Sequence, residues 1–400
     1  MKHKFRWLAV MTGVAMTVSA CGGSNDDSGD GSNTPSIKIM SIVSSASAVD
    51  LTRISGGFDA GIEQLNKAGG IDGHKIELVK CNDLGEANQA QKCLREAVDD
   101  KSIVAIAGVT LAGSVYAQGA QQAGLPYISY LPISPDDQSR AALSTSAGTT
   151  GSFGGLAAWF TKEKGFKRIG LISPNISAED QAGKVLKTIV KQNGAKLTEI
   201  RSAADQGDYL PIMQQMIAAD VQAVVFATNS DSLGAVADAY KTSGAKFAIG
   251  FPQSTIAPHG LEAMTRAGLQ FYVAGAHQDP DGDALANEQY RAAMKSAGET
   301  ATNQAQAGYA GSQAVIELIR AVGIDNASRE SVESFISKGD FKLPEVPMFS
   351  GPISKDLASV PEFASIGSFT TYIGSFEDGK YTLADPNAVD VAPYLKGGID

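Results

Sequence analysis

From residue 37 onward, short β-branched runs alternate with stretches of helical periodicity. Ile37–Val43 reads as a buried strand; the helix after it puts Ile54, Phe58, Ile62 and Leu65 on one face until Gly69-Gly70 stops it as a left-handed cap. Lys75–Lys80 is the next strand and Glu86–Val98 the next helix, and Ile103–Ala107 and Pro126–Tyr130 continue the series. Such alternation builds a parallel sheet through right-handed crossovers, so one α/β lobe is complete by about residue 135. Ser144–Gly151 carries no strand character, and beyond it the pattern restarts. Helical faces recur at Phe153, Leu156, Ala157 and Phe160, at Val185, Leu186, Ile189 and Val190, and at Ile212, Met213 and Met216. Strands fall at Arg168–Ile172, Lys196–Ile200, Ala223–Ala227 and Phe247–Phe251. Met and Phe stripes at this spacing read as core, and the two halves read as weak structural repeats. After Phe271–Ala274 come helices at Ala284–Ala297, Ala305–Ile319 and Arg329–Ile336. Phe369–Phe376 and Tyr381–Leu383 then form a hairpin about Glu377-Asp378-Gly379-Lys380. A chain that builds one lobe, then another, and returns to each makes a multi-stranded hinge.

Ahead of the fold, Lys2, His3, Lys4 and Arg6 precede an apolar run from Leu8 to Val18, which reads as a secretory signal too short to span a bilayer. Val18-Ser19-Ala20-Cys21 resembles the bacterial lipobox, with Val where Leu is usual. That resemblance implies a signal peptide over residues 1–20, lipid on Cys21, and an extracytoplasmic protein anchored to the cell membrane. Residues 21–35, rich in Gly, Ser, Asp, Asn and Thr, form a flexible tether. With 19% charged and 43% hydrophobic residues the remainder is a folded chain, and no later apolar run is long enough to cross a membrane. A formal net charge of -10 with no basic stripe excludes nucleic acid as a partner. Once Cys21 is assigned to lipid, Cys81 and Cys93 remain; outside the cytosol the pair reads as a disulfide that pins a helix to the strand before it.

The stretch from Ala60-Gly61-Ile62-Glu63 through Asn66-Lys67-Ala68-Gly69-Gly70-Ile71-Asp72-Gly73 to Leu78 resembles a first-helix signature of the branched-chain amino-acid type solute-binding proteins of ABC importers. Gly124-Leu125-Pro126-Tyr127-Ile128-Ser129 resembles that family's segment before the lobe crossing, and Tyr309-Ala310-Gly311 to Ile316 its late helix. The segment from Cys81 to Cys93 is similar to the region that follows the first helix, although the family's Pro is absent. The resemblance covers Ile37 to about Leu383 and implies the type I periplasmic-binding-protein fold: two Rossmann-like α/β lobes with parallel sheets and a multi-stranded hinge. Residues 36–147 and 273–345 are then the first lobe, 148–272 and 346–400 the second. It further implies a monomer without catalytic activity or cofactor, which holds a small-molecule solute between its lobes and delivers it to an ABC permease in the membrane.

Ligands of open parallel sheets sit beyond the C-terminal strand ends. The candidate binding residues at those ends are Ser45, Ser47, Thr110, Leu111, Ala112, Gly113, Leu131 and Ile133 in the first lobe, and Asn175, Asn229, Ser230, Asp231 and Gln253 in the second. Each hydroxyl or amide among them is equally suited to a plain helix N-cap. Amino-acid binders of the family usually carry a hydroxyl pair after the third strand and an Ala-Thr or Ala-Ser step after the fourth. Here Val109-Thr110-Leu111-Ala112 and Leu131-Pro132-Ile133 keep one clear hydroxyl, Thr110. The departure points toward an aromatic or aliphatic carboxylate. Its acidic head would meet Thr110 and the amides of Ala112 and Gly113 at a helix start, with Leu111, Leu131 and Ile133 as an apolar wall. Asp231 is the acid best placed to pair with an ammonium, should the solute carry one.

Catalytic patterns do not survive their context. Ser243-Gly244-Ala245-Lys246 matches a Ser-x-x-Lys motif but falls in a turn rather than a helix. Asp279-Pro280-Asp281-Gly282-Asp283 lacks the glycine and glutamate spacing of a calcium loop and reads as a solvated acidic turn. The four His residues have no metal-ligand spacing. A ligand-sensing lipoprotein without a permease, and more remotely a cell-surface hydrolase, stand as alternative functions.

Overall fold

A computed structural model of the protein describes residues 34–45, 51–133, 140–175, 180–203, 206–228, 230–282, 284–344, 346–356 and 360–399. The signal, Cys21, nearly all of the tether, Ser47 and Asn229 lie outside them.

The first lobe runs β1 (Ile37–Val43), α1 (Thr52–Lys67), β2 (Ile76–Asn82), α2 (Ala87–Asp99), β3 (Ile103–Gly108), α3 (Gly113–Gln122), β4 (Tyr127–Ser129) and β5 (Ala142–Ser144). Its strands pair in parallel in the order β2-β1-β3-β4-β5. Ile54, Phe58 and Ile62 bury one face of α1, and Gly69 and Gly70 adopt positive φ just beyond it. The fifth strand is an addition to the sequence reading. Three residues are too few to leave a period-two signature, and β5 is fixed by pairing with β4 on one side and a bridge from Ser144 to Ile366 on the other. Cys81 at the end of β2 is disulfide-bonded to Cys93 in α2, Cα to Cα 5.8 Å, so strand and helix are pinned as expected.

The second lobe opens with α4 (Gly148–Ala158), which continues as a π-helical turn over Trp159–Glu163. It then runs β6 (Arg168–Pro174), α5 (Asp180–Gln192), β7 (Lys196–Ser202), α6 (Leu210–Ala218), β8 (Ala223–Phe226), α7 (Leu233–Ser243), β9 (Ala248–Pro252), α8 (Pro258–Arg266) and β10 (Phe271–Gly275). The parallel order β7-β6-β8-β9-β10 repeats that of the first lobe. Phe153, Leu156, Phe160, Met213 and Met216 are buried, as their helical spacing requires. Gly244 caps α7 in the left-handed conformation (φ 71°), so Ser243 and Lys246 do flank a turn.

From β10 the chain returns to lobe one as α9 (Leu285–Ser296), α10 (Asn303–Val322) and α11 (Arg329–Lys338). Thr302 caps α10 by accepting from the Ala305 amide. This helix crosses α1 so closely that a Cβ at Gly308 would collide with the Ile54 carbonyl. Buried Arg329 stitches α11 to the α2–β3 turn, donating to the carbonyls of Ala97 (2.8 Å) and Asp100 (2.9 Å). Next come the antiparallel pair β11 (Asp340–Lys342) and β12 (Ser354–Asp356); between them Leu343, Val346, Met348, Phe349 and Ile353 join the first lobe's core. The Lys355 side chain is buried and donates to the carbonyls of Arg140 (2.6 Å) and Ala142 (2.8 Å).

The chain ends on lobe two. There β13 (Thr370–Glu377) pairs antiparallel with β10, and β14 (Lys380–Leu383), β15 (Val389–Asp390) and α12 (Ala392–Leu395) complete the lobe. Asp378 and Gly379 both take positive φ, as the tight hairpin needs. Passages between the lobes follow β5, β10 and β12, and the last lies alongside the first: the Ser144 amide donates to Ser365 and the Gly367 amide to Ser144, each at 2.8 Å. Among the described residues, no helix is long and apolar enough to cross a membrane.

Candidate binding cleft

Strand ends and helix starts from both lobes meet around a cleft whose enclosed cavity is about 30 Å³. Lobe one contributes Leu131, just beyond β4, with Asn303 and Ala307 from the first turns of α10. Ser146 and Gly148 come from the passage after β5, and Ser152 from the start of α4. Gln253 and Ser254 follow β9; Gly275, Ala276 and His277 end β10 and begin the passage after it.

Among the described residues that line this cavity there is no Asp, Glu, Lys or Arg. Its positive character comes from backbone. The N-cap residue Ala147 offers no side-chain cap and only the Gly148 amide is engaged, by Ser146 Oγ at 3.4 Å, so the positive end of the α4 dipole faces this cavity. Ser152 donates to the Gly148 carbonyl at 3.1 Å, which fixes its hydroxyl against that helix start. Gln253, buried at 7% exposure, sends its Nε2 to Asn303 Oδ1 at 3.2 Å, from lobe two to lobe one. The amide packs against Gly275, where any Cβ would collide with it. His277 is 6% exposed, its ring set against Phe349 at 4.9 Å, and its buried Nε2 has no hydrogen-bond partner among the described residues. Burial pushes the imidazole down to about 4, so it is neutral at ordinary pH.

Of the residues nominated from sequence, Leu131 and Gln253 line the cavity. Thr110 is buried and doubly engaged: its hydroxyl donates to Asp83 Oδ2 (2.5 Å) and accepts from the Ala112 amide (2.9 Å). Asp83 is fully buried and also receives the Ser44 hydroxyl (2.7 Å), the Tyr116 hydroxyl (3.3 Å) and the Gly85 amide (2.9 Å). It thereby ties the ends of β1, β2 and β3 to α3. Gly113 is buried at the start of α3, Leu111 is 37% exposed, and Ile133 packs half-buried on the lobe-one core. Ser45 Oγ accepts from Asn82 Nδ2 at 2.6 Å; the exposed Asn175 donates its amide to Ser202. Ser230 Oγ accepts from the Ala257 amide, and exposed Asp231 lies 2.8 Å from His259 Nε2.

His277, Asn303, Ser146 and Ser152 were absent from the sequence nominations. The end of β10 is a strand C-terminus like the others, but no residue beyond it was nominated, so His277 was missed. The turn after it also differs from expectation. Asp279 is buried rather than solvated, because Asn287 and Arg291 fold α9 back over the turn, donating to the Asp279 carbonyl and to those of Pro280 and Gly282. Burial accordingly raises the Asp279 carboxyl above its ordinary range.

A family model described as periplasmic binding protein matches residues 38–357. The chain belongs to that family. The two lobes with parallel sheets are the type I fold. A fatty acid ABC transporter substrate-binding protein from Thermomonospora curvata superposes with a TM-score of 0.74 at 16% identity, over 90% of this chain and 94% of that one. A Thermus thermophilus branched-chain amino acid ABC transporter structure with bound valine gives 0.74 at 14% identity, over 91% and 99%. A Rhodopseudomonas palustris solute-binding protein in complex with 4-hydroxybenzoate gives 0.69 at 18% identity, over 89% and 97%. No curated protein matches the chain. Periplasmic binding proteins are extracytoplasmic solute binders rather than enzymes, and the comparisons agree on that class while their ligands differ.

Proposed function

We propose that this periplasmic binding protein is the solute-binding lipoprotein of an ABC importer, that it closes on a small carboxylate lacking an ammonium group, and that it presents this solute to a membrane permease. The observation that carries the reading is the interlobe cavity, with the start of α4, whose N-cap Ala147 supplies no side-chain cap, at its wall and no acidic side chain in its described lining. A carboxylate gains from the helix start. Among the described lining residues an α-ammonium would find no counter-charge, and burying it unpaired costs several kcal/mol. The structurally similar protein in complex with 4-hydroxybenzoate and the one described as a fatty acid transporter's substrate-binding protein are in line with a non-amino acid, whereas the valine complex represents the competing solute class.

A thermal-shift screen of the mature protein against benzoates, aliphatic carboxylates and branched-chain amino acids tests this. A ligand at about 100 times its Kd adds roughly 2.7 kcal/mol. Stabilisation by carboxylates and not by leucine, isoleucine or valine is expected; the reverse order would overturn the solute class. Lipid attachment at Cys21 rests on the Val18-Ser19-Ala20-Cys21 motif. Cys21→Ala should abolish metabolic labelling with a fatty acid, and labelling that persists would remove the anchor from this account.

A further inference from the structure

We propose that His277 is the specificity-determining residue of the cleft and selects solutes that carry a neutral hydroxyl group, paired with its Nε2. The inference deepens the carboxylate reading and rests on it. Several other polar groups around the cavity are already engaged: Gln253 Nε2 with Asn303 Oδ1, Ser152 with the Gly148 carbonyl, and Ser146 Oγ with the Gly148 amide. His277 is different. The residue lines the cavity, is more than nine-tenths buried, and keeps an Nε2 with no partner among the described residues. A buried polar atom left unpaired carries a desolvation penalty that a matching ligand group removes. The ring is held against the Phe349 edge, at 60° between planes, so it is preset rather than free to seek a partner elsewhere.

The chemistry of that partner follows from the imidazole. Neutral in its buried setting, it presents at Nε2 either an N–H or a lone pair, according to tautomer. A carboxylate satisfies only the N–H and an ammonium only the lone pair. A hydroxyl is both donor and acceptor and satisfies either. The α4 start then takes the anionic end of the solute and His277 its hydroxyl, so that acids differing by one oxygen are told apart. A site built to hydrogen-bond a hydroxyl discriminates strongly against the analogue without it, because its own buried group is then stranded.

Calorimetric titration with matched pairs tests the inference: benzoate against 4-hydroxybenzoate, and 4-methylpentanoate against 2-hydroxy-4-methylpentanoate. The wild-type protein is expected to favour the hydroxylated member of at least one pair by about tenfold or more. His277→Leu should bring the members of that pair to within about twofold while the hydroxyl-free acid still binds, and His277→Gln, which keeps a neutral donor and acceptor, should retain most of the preference. If His277→Leu does not fold, the imidazole ¹⁵N resonances of His277 in the wild-type protein decide; they should move with the hydroxylated acid and stay with its partner. Binding of the acids with no hydroxyl preference, a preference that survives in His277→Leu, or unmoved ¹⁵N resonances would overturn the role of His277 and leave the proposed function standing. Binding of amino acids alone, or of no member of the panel, would overturn the carboxylate reading and this inference with it.

Discussion

Gln253 and Asn303 hold each other across the cleft, the Nε2 of one donating to the Oδ1 of the other at 3.2 Å. Gln253 follows the last residue of β9 in lobe two, and Asn303 is the first residue of α10 on lobe one. The bond therefore forms only when the lobes are together. It places a latch beside the solute cavity, both residues being part of its lining.

Gln253→Leu should weaken solute binding by about three- to tenfold, the worth of a net hydrogen bond, with Asn303→Ala doing the same. The double variant should lose less than the sum, with a coupling of about 0.5–1.5 kcal/mol in a calorimetric double-mutant cycle. Strict additivity would mean that the two amides do not cooperate in closure.

Asp83→Ala should cost roughly 3–5 kcal/mol in urea denaturation, because the hydroxyls of Ser44, Thr110 and Tyr116 and the Gly85 amide lose a shared acceptor inside the lobe. Thr110→Val separates support from recognition. With its hydroxyl committed to Asp83 and the Ala112 amide, the variant should lose about 1–2 kcal/mol of stability and leave solute affinity within twofold. A large loss of affinity at unchanged stability would instead make Thr110 a ligand contact.

Reduction of the Cys81–Cys93 bridge, or the double Cys→Ser variant, should lower stability by about 3 kcal/mol through the entropy regained by the unfolded chain. Solute affinity should be unchanged, since neither residue lines the cleft. Chemical denaturation with and without reductant reads the first effect and calorimetry the second.

Burial, aided by the nearby Arg140 charge and opposed by Glu333, brings Lys355 down to about 7. Unfolded, the same amine keeps its proton to about pH 10. Between those values the unfolded chain binds the extra proton, so stability should rise with pH, with a slope from this group of up to about 1.4 kcal/mol per unit. Urea denaturation from pH 7 to 9.5 measures it, and Lys355→Met should flatten the profile; an equal slope in the variant would assign it to other groups.

The alternation of β-branched runs and helical faces was legible because each buried helix shows its stripe within the segment itself, as Ile54, Phe58 and Ile62 do in α1. The cleft was less so. Ser146, His277 and Asn303 are brought together by two lobe crossings, and nothing local in sequence marks which crossing residues face one another. Thr110 was singled out by a correct observation, a hydroxyl at a strand end; its partner Asp83 lies 27 residues away, and only the folded sheet reveals that the two satisfy each other. Gln253 and Leu131 were found because a strand end facing the cleft is a consequence of topology, which the sequence does encode.

Both lobes leave a sheet edge that residues near the end of the chain cover: Ser365–Gly367 lie along β5 of the first, and Thr370–Glu377 along β10 of the second. An uncovered edge is a template for pairing with another chain. A polypeptide that emerges N-terminus first, from a ribosome or through a membrane pore, thus carries two such open edges until its last segment arrives. Neither lobe can be finished early, and a companion that keeps the emerging chain unfolded until that moment would forgo no completed domain by doing so.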